Sequence, residues 1–238
     1  MIGTLINVLT IIAGSLIGVL IGSRLSGKLR DTVVAGLGLF TLGYGLITFM
    51  ESNNPLIPLG GLLIGALLGE WWQIEEMLEK LGIMLKKAVL NNARDVGSQQ
   101  RFVDGFVTAS LVYVIGPMAI LGSIQDGLTG DFELLVIKSI LDGFASIAFA
   151  STMGIGVLFS AFIVLFYQGA ITLLADFFSQ YFTPAMITEM TAVGGLILMA
   201  IALSSLLRIL KIRTGSFLPG LLVTPLIVFI LAFYFGIF

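Results

Sequence analysis

From Leu134 to Ala175 the chain carries only two charged residues, Lys138 and Asp142, and is otherwise almost unbroken apolar. As one helix this stretch would be roughly 60 Å long, about twice the hydrocarbon thickness of a bilayer. It therefore crosses, turns once and crosses back. "STMGIG" (Ser151–Gly156) holds the residues suited to that turn. Further apolar runs elsewhere reach the roughly 20 residues that a spanning helix needs. With 58% of residues hydrophobic and 11% charged, a soluble domain could not hide this surface. The expected fold class is an all-α integral membrane protein, one polytopic domain over residues 1–238.

Eight spans are expected, at about 3–22, 33–50, 55–72, 103–122, 133–151, 154–175, 187–207 and 217–237. Loss of the turn between spans five and six would leave seven. The opening run, "MIGTLINVLTIIAGSLIGVLIG", lacks a basic leading region and reads as a span, not as a cleaved signal. Arg24, Lys28 and Arg30 follow span one. Lys80, Lys86, Lys87, Arg94 and Arg101 follow span three, and Arg208, Lys211 and Arg213 follow span seven. Of the twelve Lys and Arg only Lys138 falls elsewhere. Basic loops stay cytoplasmic, so odd-numbered loops are expected inside and both termini outside. The segregation supports the even count.

Residues 73–102 form the link between spans three and four. In "QIEEMLEKLGIMLKKAVL", Ile74, Met77, Leu78, Leu81, Leu85 and Val89 recur at helical spacing, with Glu and Lys on the other face. This predicts an amphipathic helix at the cytoplasmic surface, either a connector or a docking element. "NNARDVGSQQR" then reads as a short exposed loop. A faint repeat runs through the chain. Sliding Leu29–Leu46 by 157 positions places Ala35 on Ala192 and Gly38 on Gly195, and "PLGGLLIG" resembles "FLPGLLVT". Spans two and seven run in opposite senses, so spans 1–3 and 6–8 would be inverted copies, a frequent build in secondary transporters.

With no Cys and no His, thiolate and imidazole metal sites, haem ligation and Cys- or His-based catalysis are excluded. Any ion site would be built from oxygen ligands. Span four contains Gly116-Pro117, which removes a helical hydrogen bond. It is either a bend or a discontinuity that exposes backbone for binding. Two strings, "GSIQDG" and "KSILDG", place Asp126 and Asp142 in near-identical settings. In span five, Lys138, Ser139, Asp142 and Ser146 fall on one helical stripe, and Lys138 and Asp142 are spaced to pair. An unpaired charge in hydrocarbon costs at least about 2.5 kcal/mol, so the stripe is expected to face the bundle. The functional reading is a polar cavity open to the outside, shared by Asp126 and Asp142. The bland one is a Lys138–Asp142 bridge with Asp126 a solvated cap. Asn7 and Gln168 are further intramembrane polar candidates, or helix-to-helix amide links. Glu189 opens span seven near the outer surface. Gly14, Gly18 and Gly22 form a stripe suited to close helix packing.

"GPMAILGSIQDGL", "KSILDGFASIAFASTMGIGV", "QGAITLLA" and the "GTLINVLTIIAGSLIG" start resemble the YqgA/YdfK-like family, bacterial polytopic membrane proteins of unknown function. That resemblance implies the cytoplasmic (inner) membrane and brings no substrate. "SILDGFASIAFA" is also similar to manganese-exporter-type proteins, whose membrane Asp corresponds to Asp142. Gly143 stands where that pattern has Ala, and the chain has additional spans.

The leading expectation is a secondary transporter or exporter of a small solute or cation. The alternatives are a membrane structural or assembly protein without flux, and an intramembrane aspartyl-type enzyme, for which the characteristic GxGD string is absent. No phosphate-binding GxxxxGK[ST] motif occurs. No cofactor and no nucleic acid are expected. The partners expected are the lipid bilayer, a small solute or ion, and further copies of the chain in a homo-oligomer.

Overall fold

The computed structural model describes residues 1–89 and 96–235, and among them every regular element is helical. The α-helices are α1 (Ile2–Gly22), α2 (Gly27–Met50), α3 (Leu56–Trp71), α4 (Ile74–Val89), α5 (Val96–Val114), α6 (Pro117–Leu128), α7 (Glu133–Met153), α8 (Ser160–Leu173), α9 (Ala175–Tyr181), α10 (Pro184–Ile201) and α11 (Gly220–Phe235). Six helices, counted with their short continuations, are long and apolar enough to cross a membrane. A seventh crossing arises if α5 and α6, bent by 61° across a short break, form one span. The shorter apolar α3 adds to these.

Two breaks have plain backbone causes. α7 ends at Gly154, whose φ of +84° and ψ of −160° lie in a region open essentially to glycine alone. A 3₁₀ turn, Ile155–Phe159, then leads into α8. The expected turn at "STMGIG" is therefore present. Gly116, at φ +141°, separates α5 from α6 just before Pro117. The amphipathic α4 forms where the 3.6-residue pattern placed it. "NNARDVGSQQR" behaves differently from expectation, because α5 begins at Val96 and takes in its second half. Its first part, with Arg94, lies outside the described residues.

The helices gather into two compact units. The first comprises Met1–Leu37, Leu78–Val114 and Met118–Asp176. At its centre α1 lies on α7. A methyl group at Gly14, Gly18 or Gly22 would overlap the carbonyl oxygens of Gly143, Ile147 and Ser151 in turn. The glycine stripe thus lets two backbones touch, as the small-residue spacing predicts. The ascending order of these contacts makes α1 and α7 parallel. α8 runs antiparallel to α1, with Thr4 opposite Thr172 at 3.4 Å and Asn7 opposite Gln168 at 3.2 Å. Phe102 and Phe106 of α5 pack against Phe159 of the 3₁₀ turn.

The second unit comprises Gly38–Met77, Ile115–Pro117 and Phe177–Phe238. Here α3 and α11 are antiparallel, with Gly61 against Thr224, Gly65 against Gly220 and Gly69 against Ser216. α2 and α10 are likewise antiparallel. A methyl group on Gly45 would lie 2.6 Å from the Gly195 carbonyl oxygen, and one on Gly195 2.5 Å from that of Gly45. α10 runs on into a single π turn, Ala202–Leu206. Near its start Glu189 is fully buried, not surface-bound as expected. It accepts from the Ser52 hydroxyl at 2.6 Å and from the backbone N–H groups of Asn53 and Asn54 at 2.9 and 3.3 Å. It thereby fixes the α2–α3 turn, a long-range partnership that local sequence does not reveal.

Candidate functional site

α7 is amphipathic in the sense suited to a membrane. Ile137, Ile140, Leu141 and Phe144 are exposed, whereas Lys138, Ser139, Asp142 and Ser146 are buried. The i, i+4, i+8 spacing gathers the polar groups on one stripe, and α1 and α5 pack against α7. The apolar face is left for lipid.

The buried stripe is the seat of a four-residue cluster drawn from three helices. Lys138 Nζ pairs with Asp142 Oδ2 along α7. Asn7 Nδ2 on α1 donates to the same carboxylate oxygen at 3.0 Å and to Gln168 Oε1 on α8 at 3.2 Å. Asn7 and Gln168 are both fully buried.

The carboxylate dictates both amide orientations. Only the NH₂ end of Asn7 can face Asp142 favourably, and its second N–H then requires the oxygen of Gln168. Two polar atoms are left over, the acceptor Asn7 Oδ1 and the donor Gln168 Nε2. Both are buried, and neither has a partner among the described residues. Each such group costs about 1–3 kcal/mol when left unmet.

The remaining sequence candidates are placed differently. Ser139 returns its hydroxyl to the Leu135 carbonyl of its own helix at 2.6 Å. Asp126 accepts the Met1 amino group at 2.8 Å and the Gly3 N–H at 3.1 Å. The twin aspartates thus have separate partner sets, and the element they share is α1. Neither is bonded to the other, and Asp126 is a buried anchor for the start of α1 and not a solvated cap. Pro117 starts α6 at the bend. Among the described residues no three Asp or Glu side chains gather as a metal site would require.

The structure adds a residue that sequence reasoning missed. Tyr113 on α5 is fully buried, and its hydroxyl lies 2.8 Å from Ser146 Oγ, one turn of α7 beyond Asp142. A tyrosine within an apolar span has a polar tip that needs a partner, and that was the available signal. The hydroxyls of Ser15 on α1 and Ser110 on α5 are also buried without partners among the described residues. The polar surface therefore continues past the ion pair along the inward face of this unit.

Comparison with known proteins follows the same lines. Residues 2–229 match the family described as "Protein of unknown function (DUF554)". The chain is 33% identical to "Uncharacterized membrane protein YdfK" of Bacillus subtilis (strain 168), with 97% of each chain covered. It is 28% identical to "Uncharacterized protein YqgA" of Escherichia coli (strain K12), with 85% of this chain and 86% of that one covered. No solved structure matches. The resemblance read from "GPMAILGSIQDGL" and its companion strings is borne out, and the chain, a multi-pass α-helical membrane protein, belongs to the DUF554 family.

Proposed function

We propose that this protein is a secondary transporter or exporter of a small solute or ion in the bacterial cytoplasmic membrane. The observation that carries the reading is the cluster of Asn7, Lys138, Asp142 and Gln168. It is buried among spanning helices, yet it holds an amide acceptor and an amide donor that the protein does not satisfy. Ionisable groups inside a membrane are costly and mark pathways more often than scaffolds. α5 and α6 are bent by 61° across a short break, a discontinuity of the kind found in transporters.

The packing of the second unit supports the inverted repeat. In the correspondence of "PLGGLLIG" with "FLPGLLVT", Gly61 answers to Gly220 and Gly65 to Thr224. The observed contacts Gly61–Thr224 and Gly65–Gly220 then exchange into one another. A two-fold axis in the membrane plane would have that effect.

A second reading, a bundle protein without flux, draws on the Lys138–Asp142 pair itself, which ties α7 to α1 through Asn7. The enzyme reading needs two carboxylates sharing a proton. Here each aspartate has its own cationic partner.

Purified protein in proteoliposomes, screened for flux of metal ions, protons, small organic ions and uncharged solutes, tests the proposal. A flux that Asp142→Asn abolishes supports transport, and equal flux in wild type and variant removes the cluster from the pathway. Orientation is tested separately. Reporter fusions after Arg30, Arg94 and Arg213 are expected to report cytoplasm, because the basic residues segregate to one side. A periplasmic signal at Arg213 rules out eight alternating spans.

A further inference from the structure

The cluster also says which chemistry it would take, on the transport reading just given. Its charges cancel internally, since the Asp142 carboxylate already holds the Lys138 ammonium. What remains unmet is neutral: one carbonyl oxygen, Asn7 Oδ1, and one amide nitrogen, Gln168 Nε2. They flank a single contact, because the other ends of the same two amides are bonded to each other at 3.2 Å. A bare cation entering here would find one free carbonyl, an ammonium on the carboxylate and an outward-turned NH₂. It would be repelled by two of the three groups. No group of three carboxylates is gathered among the described residues. A bare anion is opposed by Asp142 and by Asn7 Oδ1. A molecule with its own donor and acceptor satisfies both leftover atoms without disturbing the ion pair.

We propose that Asn7 and Gln168 form a two-point binding site for a small uncharged solute bearing an amide or hydroxyl group. Asn7 Oδ1 accepts from the solute, and Gln168 Nε2 donates to it. The Lys138–Asp142 pair takes no direct part; it holds the Asn7 amide in the accepting orientation. The pathway continues along Ser146 and Tyr113, whose hydroxyls are 2.8 Å apart. Both can donate as well as accept, and so both can hand on a neutral hydrogen-bonding molecule. The same side chains offer a metal ion no carboxylate.

Vesicles holding the full chain are tested by stopped-flow light scattering with urea, glycerol and erythritol, against empty vesicles. The same vesicles are assayed for K⁺ and Mn²⁺ entry. Wild type is expected to pass at least one uncharged probe at several times the empty-vesicle rate and to pass neither cation. Gln168→Glu keeps the oxygen that Asn7 needs but replaces the free donor with a second acceptor. It is expected to lose at least tenfold of the uncharged flux. Gln168→Met, similar in volume, serves where the first variant is not monodisperse. Flux of K⁺ or Mn²⁺ through wild type that depends on Asp142 overturns this inference and leaves transport standing. Uncharged flux undiminished in both Gln168 variants overturns it as well. No flux of any probe removes the transport reading together with it.

Discussion

Replacing Lys138 with Met is expected to destabilise the protein by about 3–5 kcal/mol, read from unfolding in mixed detergent. That is the usual cost of stripping one partner from a buried ion pair. The loss arises because Asp142 lies about nine residues, roughly 13 Å, along α7 from its start. A carboxylate at that depth has no route to water along a short side chain. Asp142→Asn is expected to cost less. Lys138 is about a turn nearer the end of the helix, and its flexible stem can carry the ammonium toward the interface. Changing both residues removes the charge problem and is expected to recover most of the stability.

The second large effect lies in the helix contact beneath the cluster. Gly18→Leu is expected to leave little monodisperse protein on size-exclusion chromatography. Its side chain would have to occupy the space of the Ile147 carbonyl and Ala150 methyl on α7. No rotamer avoids this, because the overlap begins at Cβ, so α1 must separate from α7. That separation carries Asn7 away from Asp142. Gly36→Leu on α2 is the control: no atom of the described residues lies within 4 Å of its Cβ position, and it is expected to purify as wild type. If Gly18→Leu folds normally, the close backbone contact between α1 and α7 is wrong.

Much of this architecture was legible in the sequence because a membrane enforces simple rules. Apolar length defined the spans, and Gly154 and Gly116 marked where the chain turns or bends. The stripe of Lys138, Asp142 and Ser146 pointed inward because its opposite face, Ile137, Leu141 and Phe144, is apolar. Asn7 and Gln168 stood out as polar residues in apolar surroundings. Their meeting did not, since they are separated by 161 positions and nothing local says which side chain an amide will find. Asp126 and Asp142 show the limit from the other side. Their matching strings suggested matching roles, yet three-dimensional neighbours assign one to the Met1 amino group and the other to Lys138. Glu189 shows it again, being buried by a loop 135 to 137 positions away.

The most direct measurement is flux through the double variant Lys138→Met/Asp142→Asn, made once the uncharged probe that wild type passes has been identified. This protein is expected to be nearly as stable as wild type and to have lost at least nine-tenths of its flux. Without the carboxylate the Asn7 amide keeps only its bond to Gln168 Oε1, and Asn7 Oδ1 is no longer fixed as an acceptor. Wild-type stability together with undiminished flux would contradict that expectation. It would make the ion pair and its twin motif scaffolding, and put the pathway elsewhere in the protein.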